Sequence, residues 1–151
     1  SRPRSQAARV EPVSAPAITP AALQQALADL FAPWVQALGL QVQAADADGV
    51  RLRLPLTPAL VRQGDVLCGQ AMMAAADTAM VLALMQHFGQ FRPCTTVQMN
   101  SSFLRPLSAQ DAVVHARVLR AGKALAFGEI EIAGSSDGKA VCRASTTYAL
   151  L

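Results

Sequence analysis

The segment from Cys68 to Met85, CGQAMMAAADTAMVLALM, offers no polar face to water. A helix built from it is apolar on nearly every side, so it must be enclosed by other elements instead of lying on a surface. One carboxylate, Asp77, stands inside this run. An acid among Ala and Met is costly unless it is hydrogen-bonded, paired or used, so the fold has to supply both a wrapping for the helix and a partner for the acid. The stretch from Ala71 to Met85 is too short, and too interrupted by Asp77 and Thr78, to span a bilayer.

The rest of the chain provides the wrapping. Thr19-Pro20 reads as an N-cap followed by proline at the first helical position, and Leu23, Leu27, Leu30, Phe31 and Trp34 recur at helical spacing, predicting a short first helix that ends near Gly39. From Leu40 the period becomes two. Val42 and Ala44, a turn at Asp48-Gly49, then Val50, Leu52, Leu54 and Leu56 alternating with Arg51 and Arg53 predict a strand pair with one wet face, closed by Pro58. Gly64-Asp65 marks a loop, and Gly69 opens the long helix. Four strands follow over residues 95–104, 112–119, 124–132 and 140–150, separated by Pro106, a tight Arg120–Lys123 hairpin and Asp137-Gly138. An enclosed helix followed by an antiparallel meander predicts an α+β fold in which a six-stranded sheet curls round the helix. Residues 20–151 form one domain, and residues 1–19, rich in Ala, Pro and Ser, read as a disordered tail.

Composition removes several functions. The cations are Arg except for Lys123 and Lys139, are scattered along the chain, and include Arg2, Arg4 and Arg9 of the tail. No basic face with interleaved aromatics emerges, which argues against a nucleic-acid partner. Cys68, Cys94 and Cys142 are widely spaced and lack a Cys-x-x-Cys pair or a histidine cluster, so neither a disulfide framework nor a zinc site is expected, and a reducing cytoplasm is the simplest compartment. The Arg-bearing start has no apolar run after it, unlike a secretory signal.

Over roughly residues 20–150 this layout resembles the hotdog-fold acyl-CoA thioesterases of the phenylacetate-degradation (PaaI-like) type. The resemblance is carried by Cys68-Gly69-Gln70 at the helix opening with Asp77 at the matching spacing, by TVQMNSSFLRP from Thr96 to Pro106, and by GKALAF from Gly122 to Phe127. It implies a hotdog fold, hydrolysis of an aryl or medium-chain acyl-CoA, and no cofactor beyond the coenzyme A of the substrate. It also implies no metal, and active sites built between the subunits of a homodimer or a dimer of dimers. Relatives often carry Asn where this chain has Arg62, and His where it has Cys68.

The chemistry of these positions can be stated from the residues. The Gly69 amide, at a helix start, can stabilise an oxyanion, and loss of such a donor costs roughly 3 kcal/mol. Asp77, two turns further along the helix, is either a nucleophile or a base that activates water, and a structural acid satisfied by nearby donors is the competing reading. It can act on a carbonyl held at its own Gly69 only if the substrate runs along the helix, and the intersubunit sites that the resemblance implies remove the difficulty, since the glycine then belongs to a second copy. Thr96 matches a family hydroxyl that holds the water or the carboxylate, and is equally an ordinary strand residue. Arg62, Cys68, Gln70, Met73, Arg105, Gly122 and Lys123 are the candidate substrate contacts, with Arg105, Arg120 and Lys123 either meeting the phosphates of coenzyme A or standing as solvated charges. Met72, Met73, Met80 and Met85 read as core filler, Cys68 as a small buried thiol, and His87 and His115 as residues outside the chemistry. A hotdog protein that binds an acyl-CoA or aromatic ligand without turnover is the alternative function, and a hydratase lacks its catalytic histidine.

Overall fold

The computed structural model describes residues 18–151, so the tail expected over residues 1–19 lies, apart from Ile18 and Thr19, outside the described residues. Helix α1 spans Pro20–Leu30, with the Thr19 hydroxyl accepting from the Ala22 amide at 3.1 Å. It buries Leu23, Ala26 and Leu27. The helix does not run on to Gly39 as the apolar spacing suggests. Phe31 and Ala32 leave the helical region, with ψ of 153° and 148°; at Ala32 the ring of Pro33 disfavours the helical region for the residue before it. A single turn, α2 (Pro33–Gln36), follows, and the re-aimed chain leaves Trp34 64% exposed instead of buried.

Strands β1 (Gln41–Asp46) and β2 (Gly49–Leu54) form the predicted hairpin. At its turn Gly49 has φ 110°, and a Cβ there would overlap the carbonyl oxygen of Ala116 on the neighbouring strand. The loop read at Gly64-Asp65 is the tip of a small two-stranded ladder, β3 (Val61–Arg62) and β4 (Val66–Leu67). Helix α3 spans Gly69–Phe88 and stops at Gly89, whose left-handed φ of 73° suits a residue without a side chain. Strands β5 (Cys94–Phe103), β6 (Ala112–Ala121), β7 (Leu125–Gly134) and β8 (Ala140–Leu150) complete an antiparallel sheet. Its order is β1-β2-β6-β7-β8-β5, so the strand that directly follows α3 lies at the far edge from β1.

The inner sheet face, with Val50, Leu52, Leu54, Val114, Ala116, Ile130, Ile132 and Tyr148, packs on Ala75, Ala76, Ala79, Met80, Leu82 and Ala83 of α3. Small residues on the helix let the two layers approach closely. Gly128 of β7 carries this furthest, since a Cβ there would overlap the Met80 thioether. At twenty residues α3 has the length and apolar character of a membrane span, more than its Ala71–Met85 stretch suggests, but most of it is buried inside this protein as a core helix. Its wrapping is incomplete. Gln70, Met73, Ala74, Asp77 and Val81, at intervals of three and four residues, form one stripe that the sheet leaves partly open. The open stripe runs beside β5, where the inside-outside alternation of burial seen in β6, β7 and β8 is lost.

Gly49→Ala tests the tightest of these approaches. Both the positive φ and the Ala116 carbonyl oppose the added methyl, so the variant should lose about 2 kcal/mol or more in urea denaturation relative to wild type.

Candidate active site

Asp77 lies midway along α3 on the open stripe and is half-buried. The Thr96 hydroxyl donates to its Oδ1 at 2.8 Å. The phenol of Tyr148 reaches the same Oδ1 and also lies 2.9 Å from the main-chain oxygen of Asp77. Thr96 and Tyr148 are directly opposed in the β5–β8 ladder, so two adjacent strands deliver two hydroxyls to one carboxylate oxygen. Among the described residues Oδ2 has no hydrogen-bond partner. The acid that the sequence leaves unexplained in an apolar helix is therefore satisfied at one oxygen and open at the other.

Electrostatics around the carboxylate follow from its charge. Tyr148 is 1% exposed; burial foremost, then its hydrogen bond to Asp77 and the charge on that group, push the phenol's ionisation well above the ordinary tyrosine range. The phenol is thereby favoured in its protonated, donating form. Cys94 lies on β5 two residues before Thr96, and burial, then the negative charge of Asp77, raise its thiol above the usual cysteine value.

The second group of candidate residues gathers at the start of α3. Gly69 is the first helical residue and Cys68 the N-cap. The opening amides of a helix have no acceptor within it and point outward along its axis. An open groove of about 450 Å³ lies there, lined among others by Arg62, Gly69, Met72, Phe103 and Arg105. The Phe103 ring stands 3.4 Å from where a Gly69 Cβ would be, so the ring and the helix start are in van der Waals contact at the edge of the groove. Gln70 and Met73 are exposed just beyond, Met73 one turn before Asp77. Met72 faces the core and the groove together.

A single chain leaves the two groups apart. Eight residues of helix separate Gly69 from Asp77, about 12 Å along the axis. Gly122 and Lys123 lie further off still, in the β6–β7 hairpin, where the Lys123 carbonyl accepts from Arg92 just beyond the C-terminal end of α3. Arg62 and Arg105 share the groove with Gly69, whereas Lys123 does not join them within the chain. His87 sits in the last turn of α3 and the His115 Nε2 lies 2.7 Å from the Asp48 carbonyl, both outside these groups. Among the described residues no three His, Cys, Asp or Glu side chains converge as metal ligands would.

Sequence reasoning missed Tyr148, Cys94 and Phe103. A signal for Tyr148 existed: it is the chain's one tyrosine, at an inward position between Thr146 and Leu150, and a buried phenol needs an acceptor. The acid on the enclosed helix was the obvious acceptor to pair with it. Phe103 and Cys94 gave no such signal, because their placement depends on where β5 runs relative to α3.

The Cys94 thiol should be alkylated by iodoacetamide at pH 7 several-fold more slowly than a free cysteine, since both causes disfavour the thiolate. Asp77→Asn removes one of them, so peptide mapping by mass spectrometry should show faster labelling of Cys94 in that variant, with the pH at which labelling accelerates moved downward.

A model of the thioesterase superfamily matches residues 61–141, which include β3, α3, Asp77 and Thr96. The Thermoplasma acidophilum protein Ta0293, named as a candidate esterase, is 27% identical over 108 residues, covering 72% of this chain and 80% of its own length. Among solved structures, the thioesterase HI1161 of Haemophilus influenzae superimposes with a TM-score of 0.81 at 20% identity, covering 91% of this chain and 93% of that one. Zebra fish thioesterase superfamily member 2 does so with a TM-score of 0.79 at 22% identity, covering 89% and 100%. At these identities the structural likeness speaks for the fold, the hotdog arrangement expected from the sequence.

Proposed function

Because the chain belongs to the thioesterase superfamily, we propose that it is an acyl-CoA thioesterase of the PaaI-like type, hydrolysing a small aryl or medium-chain acyl-CoA to the free acid and coenzyme A. The observation that carries this reading is the state of Asp77: a carboxylate held at Oδ1 by Thr96, open at Oδ2, and set in an apolar surround on a stripe that leads to a helix start. A carboxylate so placed can attack a thioester carbon, releasing the thiolate and leaving a mixed anhydride for water to cleave. It can equally take a proton from the water that attacks. In both routes the carbonyl oxygen gathers negative charge, and the Gly69 amide is the donor suited to it.

The two halves meet if the partner is a second copy. Strand β5 is a ten-residue edge with neither a charge nor a proline from Cys94 to Phe103, and Val97 and Phe103 are 59% and 48% exposed. Natural edge strands are usually blunted, so an unguarded one is suited to pairing. Antiparallel pairing of two β5 edges about a two-fold axis would join the sheets and set the open stripes of the two α3 helices towards each other. Asp77 of one copy would then serve the Gly69 end of the other, with Arg62 and Arg105 placed at the groove mouth to meet the phosphates of coenzyme A. Cys68 and Arg62, in place of the His and Asn of relatives, leave fewer neutral polar groups to orient the thioester.

Thiol release from a panel of aryl and medium-chain acyl-CoA substrates tests the assignment. Asp77→Asn should lower kcat/KM about 100- to 10,000-fold against the best of them, the range of a lost general base; equal rates in the two proteins would remove Asp77 from the chemistry. Val97→Lys places a charge on the edge of β5 and should shift the protein to monomer in sedimentation velocity. Activity should fall in parallel although Asp77 and Thr96 are unaltered.

A further inference from the structure

We propose that Tyr148 is a positioning residue for the reaction: its buried phenol, whose one proton is donated to Oδ1 with the main-chain oxygen of Asp77 also within reach, sets the carboxylate so that Oδ2 faces the substrate. This inference rests on Asp77 being the catalytic carboxylate. The geometry behind it is specific. Thr96, exposed on the edge strand, and Tyr148, buried on the next strand inward, hold the same oxygen from two sides of one cross-strand pair. A carboxylate with one donor turns about χ2. With a second donor, itself locked in the core, that rotation is blocked and the free oxygen has one direction.

Tyr148 suits this role because of what it does not do. An Arg or Lys in its place would neutralise the negative charge that attack or proton removal requires. A serine in β8 would not span the gap that the phenol ring crosses. Burial and the adjacent negative charge keep the hydroxyl protonated, so it neither competes for the proton being moved nor becomes a second base. The Asp77 main-chain oxygen, 2.9 Å from the same hydroxyl, shares its one proton, so the phenol is centred on α3 at the residue proposed to react. Tyr148 touches neither substrate nor reacting atom in this scheme; it acts through Asp77.

Tyr148→Phe keeps the ring and deletes the donor. In thiol-release kinetics it should lower kcat about 10- to 100-fold while KM stays within about twofold, the pattern of a misdirected group instead of a lost binding contact. Ile132→Val, a core change on β7 away from Asp77, serves as the stability control and should keep kcat even where its melting temperature falls as far. A folded Tyr148→Phe protein with wild-type kcat overturns the proposal. So does a loss of kcat reproduced by Ile132→Val, and so does a Tyr148→Phe chain that no longer folds, since either result assigns the phenol to the scaffold. Asp77→Asn separates the two levels of the argument. If it turns over like wild type, the reading of Asp77 falls and the role of Tyr148 with it; if it is inactive while Tyr148→Phe is unimpaired, only the positioning role falls.

Discussion

The structure depends on one incomplete enclosure. A helix with apolar residues on almost every side has to be covered, and a single curved sheet covers α3 except at its ends, where His87 is exposed, and along the stripe through Gln70, Met73, Asp77 and Val81. Everything of chemical interest lies on that stripe or at its margin. The covered faces carry Ala and Gly where layers must approach, as at Ala79 and at Gly128 beneath Met80, and they leave no room for a substrate. The open stripe instead carries the one acid of the helix, and β5 alongside supplies its hydroxyl. An all-round apolar helix with one flaw in its cover is thus a device for placing a charged group in a dry setting without burying it entirely.

Hydrogen bonding decides how such a group is tolerated. A buried, unpartnered carboxylate would protonate or destabilise the fold, whereas a fully partnered one would be inert. Asp77 falls between these limits, with Oδ1 satisfied by Thr96 and the Tyr148 phenol and Oδ2 left open. The arrangement is asymmetric by construction, because Thr96 and Tyr148 share one rung of the ladder and so converge on one point. That asymmetry is what the proposed reaction would use.

Much of this was legible in the sequence, and the exceptions have physical reasons. Period-two alternation from Val50 to Leu54 and in the strands of the meander, the Asp48-Gly49 turn and the uninterrupted apolar run of α3 are local signals, and each led to the element observed. Asp77 stood out because its cost is local as well. Thr96 was legible as a candidate only through family resemblance, and its bond to Asp77 is a tertiary fact. The break at Phe31-Ala32 was available in Pro33 but was outweighed by the helical spacing of Leu30 and Trp34, both of which face water. Tyr148 was overlooked for a different reason. Its need for an acceptor is local and was legible, but which acceptor lies within reach is settled only once β8 has been placed between β7 and β5.

The same placement bears on why the reaction proposed here needs two molecules. With β5 at the sheet edge, the hydroxyl that holds Asp77 sits on the last strand of the sheet, and in the proposed dimer the wall beyond it would come from a second copy. The Gly69 end of α3 is separated from Asp77 by about 12 Å of helix, a distance that no rearrangement short of unwinding can close. In the proposed scheme one chain therefore offers a donor without its acid and an acid without its donor, each on a partly open surface. A two-fold axis along the β5 edge would resolve both deficits at once, because it brings the unmatched halves of two identical surfaces together and yields two equivalent sites. On that view the unguarded edge and the divided site are one feature, and the weakness of β5 as a free strand is the condition for its use.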